Sequence, residues 1–342
     1  MKPVLVVAPC EKWENEAAFR IRLGALADAM HRRGFQWDIR ARPPGPLGRM
    51  AMARSAGAYH AVILHRKMID PYEARALRRH VRPPCRIVMD IDDATMYHET
   101  KLGAFARWRL ERRFAATAGI LDLACTGNDY LADIFQKRGV TTRLMPSVVE
   151  PSHYQVKQHA QTQQLRLVWI GSGSTLKYLE AGLPSFEAAA HRIPNLTLCV
   201  ICDRPPALLF HPAADTLKME FIKWSLDAET TSLICGDIGI APMPEDRWTL
   251  GKCGFKIVQY MAAGLPVIAS PVGVNRALVN GAPANGDAAG LLAARWEEWP
   301  EAIETLARDV ALRQTLGMAG RRRVEAELCV EKIADRWAEV LG

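Results

Sequence analysis

DIGIAPMPEDRWTLGKCGFKIVQYMAAGLPVIASPVG, residues 237–273, is the stretch that decides the fold. It reads as a buried strand (Ile238–Pro242), a polar loop, a helix from about Phe255 to Ala263 stopped by Gly264, and a second buried strand (Pro266–Ala269). Two short apolar runs joined through a helix make a parallel β–loop–α–β unit. The loop Gly251-Lys252-Cys253-Gly254-Phe255 opens the helix with two glycines and a lysine. Unpaired backbone N–H groups, the positive end of the helix dipole and a cation therefore converge on one point, which suits a phosphate.

Working back from this unit, the same alternation restarts at Leu165. A strand (Leu165–Ile170) leads through Gly171-Ser172-Gly173-Ser174-Thr175 into a helix (Leu176–His191) that carries Lys177. Strands at Leu196–Cys202 and Lys218–Lys223 follow, then a helix Leu226–Ile234 that Ser225 can cap. One Gly/Ser turn is a weak phosphate signal; two such loops in one α/β domain are a stronger one. Beyond Gly273 come a strand at Gly290–Ala293 and helices at Glu297–Asp309, Val310–Glu327 and Glu331–Val340. Arg321-Arg322-Arg323 reads as a solvated helix face, and Trp296, Trp299 and Trp337 as apolar anchors.

The segment Pro151–Gln164 is polar, lacks apolar periodicity and reads as a linker. Before it, strands are expected at Val4–Ala8, Phe35–Ile39, Ala61–Leu64, Arg86–Asp90, Leu121–Cys125 and Thr141–Met145. Helices are expected at Glu14–Arg33, Tyr72–Val81 and Ala104–Ala118, with a short one capped by Asn128-Asp129 and ended by Gly139, and a Pro/Gly/Arg-rich loop at Arg40–Arg49. The chain therefore divides into a first α/β domain (1–152), a linker (153–164), a second α/β domain (165–328) and a last helix (329–342). In doubly wound domains ligands sit beyond the carboxyl ends of the strands.

Residues 1–152 hold 25 Lys and Arg against 16 Asp and Glu, whereas residues 153–342 hold 19 against 21, so the excess of +7 lies in the first half. Such a surface fits phosphates or an acidic membrane leaflet, and equally fits solvated arginine-rich helix faces. Nucleic-acid binding would rest on charge alone and is not expected. The eight cysteines lie scattered among apolar neighbours and read as reduced core residues; Cys199 and Cys202 fall in one strand, facing opposite sides. No apolar run approaches a membrane span, and Met1-Lys2-Pro3 leads straight into a strand. The expectation is a cytosolic protein with at most peripheral contact to the inner face of the plasma membrane.

Three strand ends of the first half carry polar groups: His65-Arg66-Lys67, then Asp90-x-Asp92-Asp93, then Thr126-Gly127-Asn128. His65 taken alone reads as a structural histidine. The three carboxylates suggest Mg²⁺, but Asp90 and Asp92 would alternate sides along a strand, which favours helix capping plus one functional carboxylate. The apolar residues of helix 104–118 (Leu102 just before it, Phe105, Trp108, Leu110, Phe114) are expected to face the core.

FKIVQYMAAGLPVIASPVGVN, with its Cys253-Gly254 lead-in, resembles the donor-site helix and following strand of retaining glycosyltransferases of the GT-B fold, family 4. Gly286, Gly290-Leu291-Leu292-Ala293, the Trp299 helix, Leu312-Arg313-x-x-Leu316-Gly317 and Gly320-Arg321-Arg322-x-Val324 fit the same pattern. RKMID at Arg66, DIDDA at Asp90 and GNDYLAD at Gly127 resemble a bacterial branch of the superfamily. The resemblance covers nearly the whole chain. It implies two facing Rossmann-like domains, an acceptor site in the first, a nucleotide-sugar site in the second, and a C-terminal helix crossing back to the first.

Carried over residue by residue, it assigns donor binding to Gly171, Ser172, Gly173, Gly251, Cys253, Gly254, Phe255 and Gln259. The family's two glutamates spaced E-x₇-E are here Gly251 and Gln259; the second can still hydrogen-bond a ribose as a neutral group. Asp246 or Glu245 could replace the first. The family's G-R-x₄-K appears as Gly171-Ser172-x₄-Lys177, so Lys252 becomes the candidate for the missing cation. Lys177, Lys252 and the amides of Gly173 and Gly254 would stabilise the leaving diphosphate, with no metal and no cofactor. Asp92 stands where the family often has a histidine, facing the donor sugar or the acceptor hydroxyl. His65, Arg66, Asp93 and Asn128 are acceptor-side candidates.

The implied activity is transfer of a sugar from a nucleotide sugar to a glycan or lipid-linked acceptor with retention, in cell-surface polysaccharide or lipopolysaccharide assembly. Two alternatives stay open. A catalytically silent sugar-nucleotide-binding scaffold would account for the missing glutamates. A dinucleotide oxidoreductase shares the fold, but Val4–Ala8 runs into Pro9-Cys10-Glu11-Lys12 without G-x-G-x-x-G.

Overall fold

The computed structural model describes residues 1–97, 103–206, 216–281 and 287–342; Leu102 and Gly286, named above, lie outside them. The chain forms two compact units, one made of Met1–Val148, Asp246–Cys253 and Val330–Gly342, the other of Val149–Glu245 and Gly254–Cys329. Each is Rossmann-like, with one six-stranded sheet whose neighbouring strands all run parallel.

In the first unit the strands are β1 (Lys2–Ala8), β2 (Phe35–Ala41), β3 (Ala61–His65), β4 (Arg86–Ile91), β5 (Leu123–Thr126) and β6 (Thr142–Leu144), in the order β2-β1-β3-β4-β5-β6. The apolar run of β1 follows from a sheet covered on both faces. Leu5 and Val7 join one core layer with Val62, Leu64 and Met89, while Val4 and Val6 join the other with Ile63, Phe19 and Leu23. The second layer is closed by the helix Val330–Leu341, which buries Ile333, Ala334 and Trp337 at helical spacing. Its outer face is pinned by Arg33, which pairs with Glu331 and Asp335.

In the second unit the strands are β7 (Arg166–Ile170), β8 (Thr197–Cys202), β9 (Lys218–Lys223), β10 (Ile238–Ala241), β11 (Val267–Ala269) and β12 (Gly290–Leu292), in the order β12-β11-β10-β7-β8-β9. Numbered within the unit this is the nucleotide-binding order 3-2-1-4-5-6, whose switch point lies between β7 and β10. Cys199 and Cys202 sit in different core layers, as the strand period requires, and all eight cysteines are free.

Several elements depart from the sequence reading. The expected helix Glu14–Arg33 is broken into Ala17–Arg22 and Ala27–Arg32 by a turn at Gly24, where a Cβ would lie 3.0 Å from the Trp13 ring. Leu176–His191 is two helices, Leu176–Ala181 and Leu183–Ala190, because Pro184 begins a new helix after Gly182. The Arg40–Arg49 loop gives way to a helix Pro46–Ser55, again started by proline. Arg321 and Arg323 are half-buried, and Arg321 donates to the carbonyls of Pro151 and Ala262, so only Arg322 of that run is solvated.

Helix Ala104–Ala118 forms as expected, but residues 103–109 are exposed on every side, with Phe105 at 70% and Trp108 at 50%. Only Phe114 of its aromatics reaches the core, since the helix packs on the unit through its second half. The Phe105 and Trp108 rings stack on each other, centroids 5.7 Å apart, and the Arg112 guanidinium lies 4.7 Å from the Trp108 centroid.

Candidate active site

In the first unit the polar residues at the carboxyl edge of the sheet form two linked clusters. Asp90, at the end of β4, is fully buried and receives both Nε and Nη2 of Arg22, whose Nη1 donates to the Met145 carbonyl at 2.7 Å. His65, one strand over, places Nδ1 2.8 Å from Asp90 Oδ2. Burial alone would raise the Asp90 carboxyl, but the Arg22 guanidinium, helped by His65, holds it well below the usual carboxylate range. Nε2 of His65 is buried and hydrogen-bonds to no described residue.

Just beyond, Arg66 pairs with both Asp92 and Asp93, and Lys252 Nζ lies 3.0 Å from Asp93 Oδ1. Arg66 has φ 55°, the left-handed region that a side chain adopts at a cost of ~1–3 kcal/mol. The two carboxylates that grip its guanidinium offset that cost. None of the three aspartates caps a helix among the described residues, which corrects the capping expectation: all three are ion-pair partners.

The loop Asp246–Cys253 belongs to this first unit. Cys253 is its plug: Sγ–H donates to the Asp92 carbonyl at 3.0 Å, and a Cβ on Gly127 would fall 2.1 Å from that sulfur. Burial, then the Asp92 carboxylate, pushes the Cys253 thiol well up, so it stays a neutral donor. Asn128 caps its own helix by accepting from Leu131 N and, with Nδ2, holds the Lys252 and Leu250 carbonyls. Gly251 lies against Ala94, where a Cβ would meet Ala94 Cβ at 2.5 Å and Ala94 N at 2.8 Å. That contact is a physical reason for glycine at this place. Lys252, in the same loop, sits beside Asp93.

In the second unit the loop after β7 stands at the switch point. Gly171 packs over the Trp169 ring, where a Cβ would be 2.5 Å from its edge, and Lys256 Nζ lies 4.2 Å from the same ring's centroid. Ser172 and Ser174 share a hydrogen bond of 2.8 Å, and Lys177 is exposed with Nζ 5.2 Å from the Tyr178 centroid. The Gly173 amide, expected to serve a diphosphate, donates instead to Asp203 Oδ1 at 2.6 Å. Gly254, φ 64°, starts the helix Phe255–Ala262 without a side-chain cap, and Phe255 packs half-buried behind it. Gln259 is 3% exposed and its Nε2 lies 3.4 Å from the Tyr154 hydroxyl.

Sequence reasoning missed Arg22, Asp203, Arg204 and Lys256. Arg22 carried a signal, since it falls three residues after Phe19 on the face that also bears Leu26. Asp203 and Arg204 follow β8 with no motif to mark them. Among the described residues no group of three or more His, Cys, Asp or Glu is arranged to hold a metal ion, and no helix is long and apolar enough to cross a membrane.

Two Rossmann-like units, each gathering its polar side chains at the carboxyl edge of a parallel sheet, define the class: this is the architecture of the GT-B glycosyltransferases. Residues 152–309 match the family model of glycosyl transferases group 1. The fold of the chain is similar to that of sucrose-phosphate synthase from Thermosynechococcus elongatus (16% identity, 99% of this chain and 98% of that one, TM-score 0.71). Anabaena HepE in complex with UDP and glucose is similar to the same degree (14% identity, 100% and 99%, TM-score 0.71). A glycosyltransferase involved in avilamycin A biosynthesis also matches (13% identity, 100% and 97%, TM-score 0.59). No curated protein matches the sequence significantly.

Proposed function

We propose that the protein moves a sugar from a nucleotide-sugar donor to a hydroxyl of a glycan or lipid-linked acceptor, with retention and without a metal. The observation that carries this reading is the Gly171–Thr175 loop, with Lys177 after it, at the switch point of a 3-2-1-4-5-6 sheet. The fold shared with HepE, which binds UDP and glucose, makes UDP the first donor nucleotide to try.

Transfer of this kind needs charge stabilised on a leaving diphosphate in a site closed to water. In this reading Lys177 meets that charge. Lys252, paired with Asp93, keeps Asp92 and Asp93 set on the acceptor side, where Asp92 faces the reacting sugar or hydroxyl. A lipid-linked acceptor at the inner membrane face fits the exposed Phe105 and Trp108 among Arg107, Arg109 and Arg112. Cell-surface polysaccharide or lipopolysaccharide assembly is the setting this acceptor suits, with the protein cytoplasmic and peripheral.

Screening UDP-, GDP-, ADP- and CMP-sugars for hydrolysis and thermal stabilisation tests the donor. One of them is expected to be turned over; stabilisation by a nucleotide without turnover of any sugar would favour the second reading, a silent sugar-nucleotide-binding scaffold. That second reading rests on Gly251, whose position against Ala94 leaves no room for a carboxylate.

A further inference from the structure

The Gly173 amide is spent on Asp203, so anion recognition at the switch-point loop cannot use the backbone donor that a glycine turn usually offers. The residue after Asp203 changes what the loop presents. The stem of Arg204 lies across Gly173: a Cβ there would fall 2.4 Å from Arg204 Nε and 3.0 Å from its Cδ. Nη2 donates to the Gly173 carbonyl at 2.9 Å, which orients the guanidinium plane over the loop. Gly173 is thus the residue that makes room for Arg204, and Asp203 and Arg204 hold the two polar groups of one peptide residue between them. A guanidinium has five N–H donors in a rigid fork. The Gly173 carbonyl takes one, and no other hydrogen bond from the Arg204 side chain occurs among the described residues. The fork is fixed by one bond and has donors to spare, at the carboxyl end of β8 next to the loop that follows β7.

We propose that Arg204 is a binding residue for the diphosphate of the donor, gripping it through the donors its bond to Gly173 leaves over. The ligand class is a nucleoside diphosphate. The inference deepens the proposed function and rests on it. It also gives the Gly171–Thr175 loop a different working principle: the backbone positions an arginine, and the arginine meets the phosphates.

The test is calorimetric titration of wild type and Arg204→Ala with UDP, GDP and ADP, and with uridine, guanosine and adenosine as controls lacking phosphate. A charge-assisted contact predicts about 10- to 100-fold weaker nucleoside diphosphate binding in Arg204→Ala with unchanged nucleoside binding, and partial recovery in Arg204→Lys. Because Arg204 is exposed, the variant should keep the wild-type melting temperature. Gly173→Ala supplies an independent route, since its Cβ displaces Arg204: it should weaken the diphosphate as Arg204→Ala does, and add nothing in the Arg204→Ala background. Equal diphosphate affinity in wild type and Arg204→Ala would overturn the inference and leave the donor reading standing. Equal loss for diphosphate and nucleoside would also overturn it, making Arg204 a loop brace. If wild type binds none of the nucleoside diphosphates, the donor reading itself fails, and the inference falls with it.

Discussion

At the carboxyl edge of the first sheet, charges come in matched sets: Arg22 with Asp90, then Arg66 and Lys252 with Asp92 and Asp93. At the same edge of the second sheet, Lys177 and Lys256 lie against aromatic rings and Arg204 against a backbone carbonyl, with Asp203 the carboxylate at the loop. A neutralised cluster can fix a hydroxyl nucleophile and shield a reacting centre but has little left over for an anion. A guanidinium anchored by one backbone carbonyl keeps N–H donors that suit phosphates. Under the proposed function, this contrast would assign the paired cluster to the acceptor side and the Gly171–Thr175 edge to the donor side.

The largest effect should come from unbalancing the first cluster at its root. Arg22→Ala leaves a buried carboxylate without its partner and is expected to cost about 3–5 kcal/mol in urea unfolding. In wild type the Asp90 carboxyl is depressed, so its stabilisation is present above the ordinary value near 4 and is lost as pH falls through the lower folded value. Without Arg22, burial dominates and the sign reverses. The deficit of the variant should therefore begin to shrink above pH 4, as Asp90 takes up a proton at its raised folded value, and go on shrinking as the pH falls through about 4.

Next comes Lys177→Ala, expected to lower kcat/KM about 100- to 1000-fold by removing charge stabilisation of the leaving group. Lys252→Ala sharpens the comparison. About a tenfold loss of turnover with unchanged nucleoside diphosphate affinity keeps Lys252 on the neutralised side. Weakened diphosphate binding equal to that of Lys177→Ala would break the division. The smallest effect on the fold is expected from Phe105→Ser/Trp108→Ser, within about 0.5 kcal/mol because both rings are exposed. The same variant should lose co-sedimentation with anionic vesicles, and retention of wild-type binding would remove the lipid surface from the acceptor reading.

Strand positions were legible because a sheet covered on both faces demands short apolar runs, and β9 and the helix Ala104–Ala118 appear where the pattern placed them. Caps by Asn128 and Ser225 were legible for the same local reason. Pairing partners were not. Nothing near Asp90 in the chain names Arg22 as its counter-ion, and nothing near Gly173 names Arg204. The solvent exposure of Phe105 and Trp108 escaped for a different reason: apolar spacing on a helix tells which residues share a face, and leaves open how far the helix runs past its support. The place of the Gly251–Cys253 loop was hidden because Cys253 looks like any buried thiol until Gly127 and the Asp92 carbonyl are beside it.

The helix Val330–Leu341 has a consequence for how the protein is made. The core of the first unit, begun by Val4 and Val6 and partly covered by Phe19 and Leu23, is closed by Trp337, so on the ribosome that face of its sheet waits for the last helix. The second unit, whose segments end at Cys329, emerges complete before that helix. Synthesis therefore finishes the later-encoded unit first, and a nascent chain stalled short of Trp337 would be a target for chaperones and proteases.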